Sequence, residues 1–171
     1  MFRRAVYVVA LLALVSSCTP SAKSYNNTIV AEQGKILNIL IEMSKHFQTD
    51  LDKAESLRVE MVAQCSKSKE ALEKLTYDKD DYGLKKAAIE LFVFYEKSGN
   101  NAFKEMIELL KKGASITQAD VARLNVIAKE IGEEEKGYDE NFKKVQTAFA
   151  SANGFPLEEN KLQKEIDSLG K

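Results

Sequence analysis

Between Val121 and Phe149 a single stripe recurs at helical spacing: Val121, Leu124, Ala128, Ile131, Glu135, Tyr138, Phe142, Val145 and Phe149. The steps alternate three and four throughout. That period lays side chains along one face of an α-helix and is out of phase with the two-residue alternation of a strand. Only Glu135 interrupts the apolar character. A helix from 117 to 152 would be about 50 Å long, and it can hide such a stripe only against other helices of comparable length. Thr117 offers an N-terminal cap and Asn153-Gly154 a C-terminal stop.

The rest of the chain provides those partners. One helix is predicted over 26–47, with Ile29, Val30, Ile36, Leu37, Leu40, Met43 and Phe47 in phase and Gly34 as a weak point. Thr49-Asp50 reads as a turn with a cap. A second helix is predicted over 51–75, with the seam Ala54, Leu57, Met61, Cys65, Ser68, Leu72 and Leu75. A polar loop, Tyr77-Asp78-Lys79-Asp80-Asp81, ends in aspartates suited to capping a third helix over 82–112. Ser98-Gly99-Asn100-Asn101 should kink or split that helix. Beyond the fourth helix, 157–169 forms a short amphipathic helix with Leu162, Ile166 and Leu169 on one side. Two prolines in 171 residues place little obstacle in the way. The predicted fold is all-α: an antiparallel up-down bundle of four long helices, the third kinked or split, plus the short C-terminal helix.

The N-terminus carries an address. Arg3 and Arg4 precede an unbroken apolar run over 5–15, about half the length that a membrane-spanning helix needs and right for the core of a signal peptide. Val15-Ser16-Ser17-Cys18 then resembles the bacterial lipobox. The resemblance implies that the Cys18 sulfur receives a diacylglyceryl group, that the chain is cut before Cys18 and that the new amino group is acylated. Two or more acyl chains anchor a protein stably. The implied organisation is a leader over 1–17, a lipidated tether over 18–24 and one domain over 25–171. Thr19, where such lipoproteins often carry Asp for inner-membrane retention, leans the expected location toward an outer membrane. With Cys18 occupied by lipid, Cys65 has no intramolecular disulfide partner.

Composition narrows the chemistry. The 25 Lys+Arg nearly balance 26 Asp+Glu, so nucleic acid is not an expected partner, since phosphate backbones call for a strongly basic face. One histidine and two cysteines cannot build zinc clusters or paired-histidine metal sites. His46, with Glu42 four residues before it, reads as a polar residue near a helix end. Asp78-Lys79-Asp80-Asp81-Tyr82-Gly83 opens like a calcium loop. It then places Tyr82 and Ile89 where an EF-hand needs an oxygen ligand and a glutamate. Cys65 falls on an apolar seam, where a thiol behaves as a small hydrophobe. Within Glu133-Glu134-Glu135, the seam position of Glu135 suggests pairing with a lysine or contact with water. No phosphate loop, nucleophile elbow or paired-carboxylate motif is present. No catalytic, cofactor-binding or metal residue is expected.

The arrangement also resembles an uncharacterised family of helical bacterial surface and envelope lipoproteins. The likeness rests on Tyr25-Asn26-Asn27 leading into Ile29-Val30 and Gln33. It rests too on Leu124-Asn125, Tyr138, Phe142, Gln146, Phe149-Ala150 and Gly154-Phe155. It implies no activity. The function expected is that of a lipid-anchored, non-enzymatic envelope protein presenting a bundle to a protein or surface-polymer partner. The outward faces and the loops around Asp78–Asp81 and Ser98–Asn101 are the expected contact points. The alternative is a periplasmic carrier of a small molecule or an apolar ligand, held in a gap between helices near Glu135.

Overall fold

The computed structural model describes residues 20–158, 161 and 162. Among them every regular element is helical. They are α1 (Ala22–His46), α2 (Leu51–Lys74), α3 (Leu84–Asn100), α4 (Ala102–Leu110) and α5 (Gln118–Ala152), with a 3-10 turn over Gly113–Ser115. The third predicted stretch is thus split in two at Asn101. Cys18, its leader and all of the predicted C-terminal helix beyond Leu162 lie outside the described residues. Of that helix, Leu157 and Glu158 are not helical, whereas Lys161 and Leu162 are.

Local chemistry sets the boundaries. Ser21, expected in the tether, instead caps α1 by accepting from the Ser24 N–H at 3.2 Å, so residues 22–24 are helical. Asp50 caps α2 through the Lys53 N–H at 2.9 Å. Thr117 and Asp120 form a reciprocal capping box at the start of α5. The third stretch begins at Leu84, two residues later than its apolar pattern suggests, because Tyr82 (φ 55) and Gly83 (φ 80) are left-handed. Gly83 occupies the cap position without a side chain. Asp81 does the work from two residues back, accepting from the N–H groups of Gly83 (2.9 Å) and Lys85 (3.2 Å).

The α1, α2 and α3 seams meet in one core that includes Ile29, Ile36, Met43, Met61, Leu72 and Phe92. The predicted α2 seam is buried from Ala54 through Leu72. α5 lies chiefly along α3 and α4 and meets α1 less. Its contact face departs from the predicted stripe. Phe142 and Phe149 are buried as expected, but Ile127 is buried in place of Ala128, and Asp139 in place of Tyr138. Val121 is 44% exposed. A stripe of period 3.5 on a straight helix of 3.6 residues per turn drifts about 20° per heptad. Counted back from Phe149, three heptads of that drift favour Ile127 over Ala128, and four carry Val121 out of the contact; the burial of Asp139 beside Tyr138 runs against the drift and has no explanation in it.

Candidate functional site

The residues singled out by sequence are not brought together. On α1, His46 Nε2 lies 3.3 Å from Glu42 Oε1. Hydrogen bonds from His46 and then Lys45 hold the Glu42 carboxyl below its usual range. Cys65 is fully buried on α2. Burial, reinforced by the charge of Glu96, pushes its thiol up to about 12. The thiolate is the reactive form of cysteine, so this side chain is a packing element. Among the described residues no group of three or more His, Cys, Asp or Glu is arranged to hold a metal ion, and no helix is long and apolar enough to cross a membrane.

The acidic features bind the fold. Glu135 accepts from the Tyr95 hydroxyl at 2.6 Å across the α3–α5 boundary, where a lysine or water was expected. Glu134 and Glu133 pair with Lys97 (4.0 Å) and Lys129 (3.8 Å) on the surface. In the 75–83 loop, Asp80 and Asp81 are occupied by backbone N–H groups, and Asp81 also accepts from the Tyr25 hydroxyl at 2.9 Å.

Two clusters escaped the sequence reading. Glu96 on α3 accepts from Ser66 Oγ at 2.6 Å and pairs with Lys69. Lys69 and then Ser66 hold its carboxyl below the usual range. Ser66 and Lys69 stand three apart and so share one face of α2, the only signal available in advance. Arg58, also on α2, is held by two 2.7 Å bonds to Glu55 and donates to the Gly99 carbonyl at 2.9 Å. Here the i,i+3 pair was visible but its target was not.

The bundle therefore has two distinct ends. At the start of α1, Tyr25 stacks on Tyr77 with ring centroids 4.7 Å apart, and both meet Phe149, which in turn meets Phe155. The Tyr77 hydroxyl donates to Asn153 at 3.0 Å. The 75–83 loop and the end of α5 thus gather around the beginning of α1. At the opposite end, Phe47 meets Phe103 (6.4 Å), and Lys111 pairs with Asp52 at 2.7 Å. A shallow surface cleft there runs between the 47–52 turn and Leu110, Lys111 and Gly113.

The two loops expected as contact points are placed differently in the fold. The Asp78–Asp81 loop sits at the same end as the segment that leads back to Cys18. The Ser98–Asn101 stretch is no loop: Ser98 and Gly99 are buried, with Gly99 against Met61 and Val62 of α2 and Arg58 on its carbonyl. The exposed large apolar side chains among the described residues include Val59, Val93, Val121, Val126 and Tyr138 on α2, α3 and α5, together with Tyr82 in the 75–83 loop and Leu157 beyond α5. No protein-family model, curated protein or solved structure matches this chain.

Proposed function

We propose that the chain is a lipid-anchored envelope protein that holds a helical bundle upright on a membrane and offers its far end and outer helix faces to a partner. One observation carries this reading. α1 begins at Ala22, only four residues after Cys18, with Ser21 as its cap. A lipid on Cys18 would therefore keep the start of α1, the 75–83 loop and the Tyr25–Tyr77–Phe149 cluster next to the bilayer. The 47–50 turn and the 111–117 connection lie at the other end of α1, about 37 Å away for a 25-residue helix.

The interior supports a binding role over a carrier. Packing is tight where α2 meets the end of α3: a methyl group added at Gly99 would come within 2.6 Å of Val62. Glu135, around which an apolar ligand was imagined, is engaged by Tyr95. The partner is then a protein or surface polymer that meets exposed side chains.

The test is affinity capture from native membranes with the intact protein, run beside Cys18→Ser. The wild type should fractionate with membrane and retain a partner, while the variant leaves the membrane fraction or accumulates uncut. Lipid labelling that persists in Cys18→Ser would overturn the anchor. A bound apolar molecule in stoichiometric amount would favour the carrier.

A further inference from the structure

We propose that the cleft between the α3–α4 break and α5 receives an arginine side chain of a protein partner. The assignment rests on the partner-binding reading above and gives that partner its chemistry.

The cleft follows from the two walls that face each other across it. α3 and α4 run opposite to α5, and an ion pair ties the walls together on either side of Asn101. Lys97 meets Glu134 at 4.0 Å, and Arg123 holds Glu105 through bonds of 2.7 and 2.8 Å. Between those pairs the α3–α4 wall offers Ser98 and Ala102, which are too small to close the space up to α5. A cleft of about 200 Å³ remains, with the buried Phe94 and Ile127 among its lining and Ile131 beside them. Sites for drug-sized molecules span about 300–1,000 Å³, so this volume suits a single side chain. It also lies in the half of the bundle that a lipid on Cys18 would hold away from a membrane.

The polar groups select the occupant. Glu105, Glu130 and Glu134 line the cleft against Lys97 and Arg123, an excess of carboxylate. Glu105 is saturated by Arg123. Glu130 and Glu134 are not, since their contacts, 3.7 Å to Arg123 and 4.0 Å to Lys97, are longer than hydrogen bonds. Standing four apart, they share one face of α5, and both side chains are more than half exposed. Ser98, in contrast, is 6% exposed, and its hydroxyl has no hydrogen-bond partner among the described residues. Asn101 spends its Nδ2 on the Lys97 carbonyl at 2.9 Å, which leaves its side-chain oxygen to accept. The unspent groups are therefore acceptors beside an apolar surface. Arginine answers both: its stem packs on apolar side chains, and its planar guanidinium is all donors. Among the described residues no acidic group is arranged to hold a metal ion, so the fitting cation is an organic one.

The test titrates N-acetyl-arginine amide into the full-length chain and follows backbone amide chemical shifts. Ser98, Asn101, Ile127 and Ile131 should shift saturably. N-acetyl-citrulline amide, which has the same shape without the charge, should bind at least about fivefold more weakly. Arginine should be weakened as much by Glu130→Gln combined with Glu134→Gln. Glu60→Gln combined with Glu73→Gln removes the same charge from exposed positions of α2 and should leave binding unchanged. Ala102→Leu, which fills the cleft, should abolish the shifts; the glutamine variants alter only exposed side chains and decide the matter even if Ala102→Leu fails to fold. Shifts that are absent, scattered over other acidic residues, equal for citrulline or equally weakened in the α2 variant overturn the proposal. If arginine fails to bind while the intact protein still captures a partner from membranes, the cleft assignment falls and the partner-binding reading stands. Arginine binding at these residues without any capture would leave the cleft standing and count against that reading.

Discussion

Arg58 Nη1 donates to the carbonyl of Gly99 at 2.9 Å, from the first third of α2 to the point where the third helical stretch breaks. A carbonyl in the last turn of a helix has no partner within the helix. Arg58, 8% exposed, supplies one and is itself held in place by Glu55. The absence of a side chain at Gly99 makes the approach possible, since an added β-carbon would meet Val62 at 2.6 Å and Met61 at 2.9 Å.

Both residues should therefore matter to stability. Arg58→Met removes a charged hydrogen bond to a buried carbonyl and should cost about 1.5–3 kcal/mol. Gly99→Ala should cost about 1–3 kcal/mol by overpacking, despite alanine's better helix propensity. Gly34→Ala is the contrast. Its new methyl meets Leu162 at an ordinary 3.5 Å, so the propensity gain of about 0.5–1 kcal/mol should prevail. Urea denaturation of the three variants checks the set, and a destabilised Gly34→Ala would contradict the described packing.

The α5 contact face gives a second test. Ile127→Ala should destabilise by about 2–5 kcal/mol, and Phe142→Ala by about 3–5 kcal/mol, because both side chains are buried. Val121→Ala, on the drifted end of the stripe, and Lys129→Ala, on a surface pair, should each stay within about 0.5 kcal/mol. A large effect at Val121 with none at Ile127 would restore the unshifted heptad.

Most of the fold was legible because it rests on short-range rules. The α2 seam from Ala54 to Leu72, the cap at Asp50 and the stop at Asn153-Gly154 all depend on residues within a few positions of one another. What was not legible depends on partners far along the chain. Tyr25 finds Asp81 and Tyr77, Glu135 finds Tyr95, and Arg58 finds Gly99. No periodicity reports such pairs. The α5 register fell between the two cases: Phe142 and Phe149 were read correctly, whereas the drift that brings Ile127 inward and the burial of Asp139 were not. For the proposed function, the sequence offered a lipobox-like motif at Cys18; which end of the bundle a lipid there would hold near a membrane required the tertiary placement of the 75–83 loop beside the start of α1.

Alkaline pH should unfold the protein. Burial, then the hydrogen bond to Asp81, raises the Tyr25 phenol well above its ordinary value. Burial and the Glu135 carboxylate do the same for Tyr95. Burial moves Cys65 from 9 to about 12. All three favour the protonated form in the folded state. Their contribution is complete below the unfolded values, near 9 for the thiol and 10 for the phenols, and is lost as pH climbs from there toward the folded values. Tyrosinate absorbance should show two phenols that ionise only as helicity is lost. In the native protein at pH 8, Cys65 should react with a thiol reagent at least a hundredfold more slowly than in denaturant.

The acid side has the opposite sign. Glu96 is held below its usual range by Lys69 and Ser66, and Glu55 by Arg58. The stability that these carboxylates add is present above the ordinary carboxylate range and fades as pH falls through it. Helicity should start to decline below about pH 4, and Glu96→Gln should flatten that decline. An unchanged acid limb in Glu96→Gln would assign the loss to other groups.

The orientation of the bundle on a membrane can be measured directly. If the lipid sits on Cys18, the 75–83 loop lies near the bilayer and the 47–50 turn lies at the far end of α1. A fluorophore on Lys79→Cys should be quenched strongly by spin-labelled lipid headgroups in reconstituted vesicles, and one on Gln48→Cys weakly. Both positions are exposed, so labelling should leave the circular dichroism spectrum unchanged. The separation of about 37 Å along α1 exceeds the reach of contact quenching, so the two probes should differ several-fold. Equal quenching would mean that the bundle lies flat on the surface, with an outer helix face and not only the 75–83 end turned to the lipid, and would overturn the upright orientation.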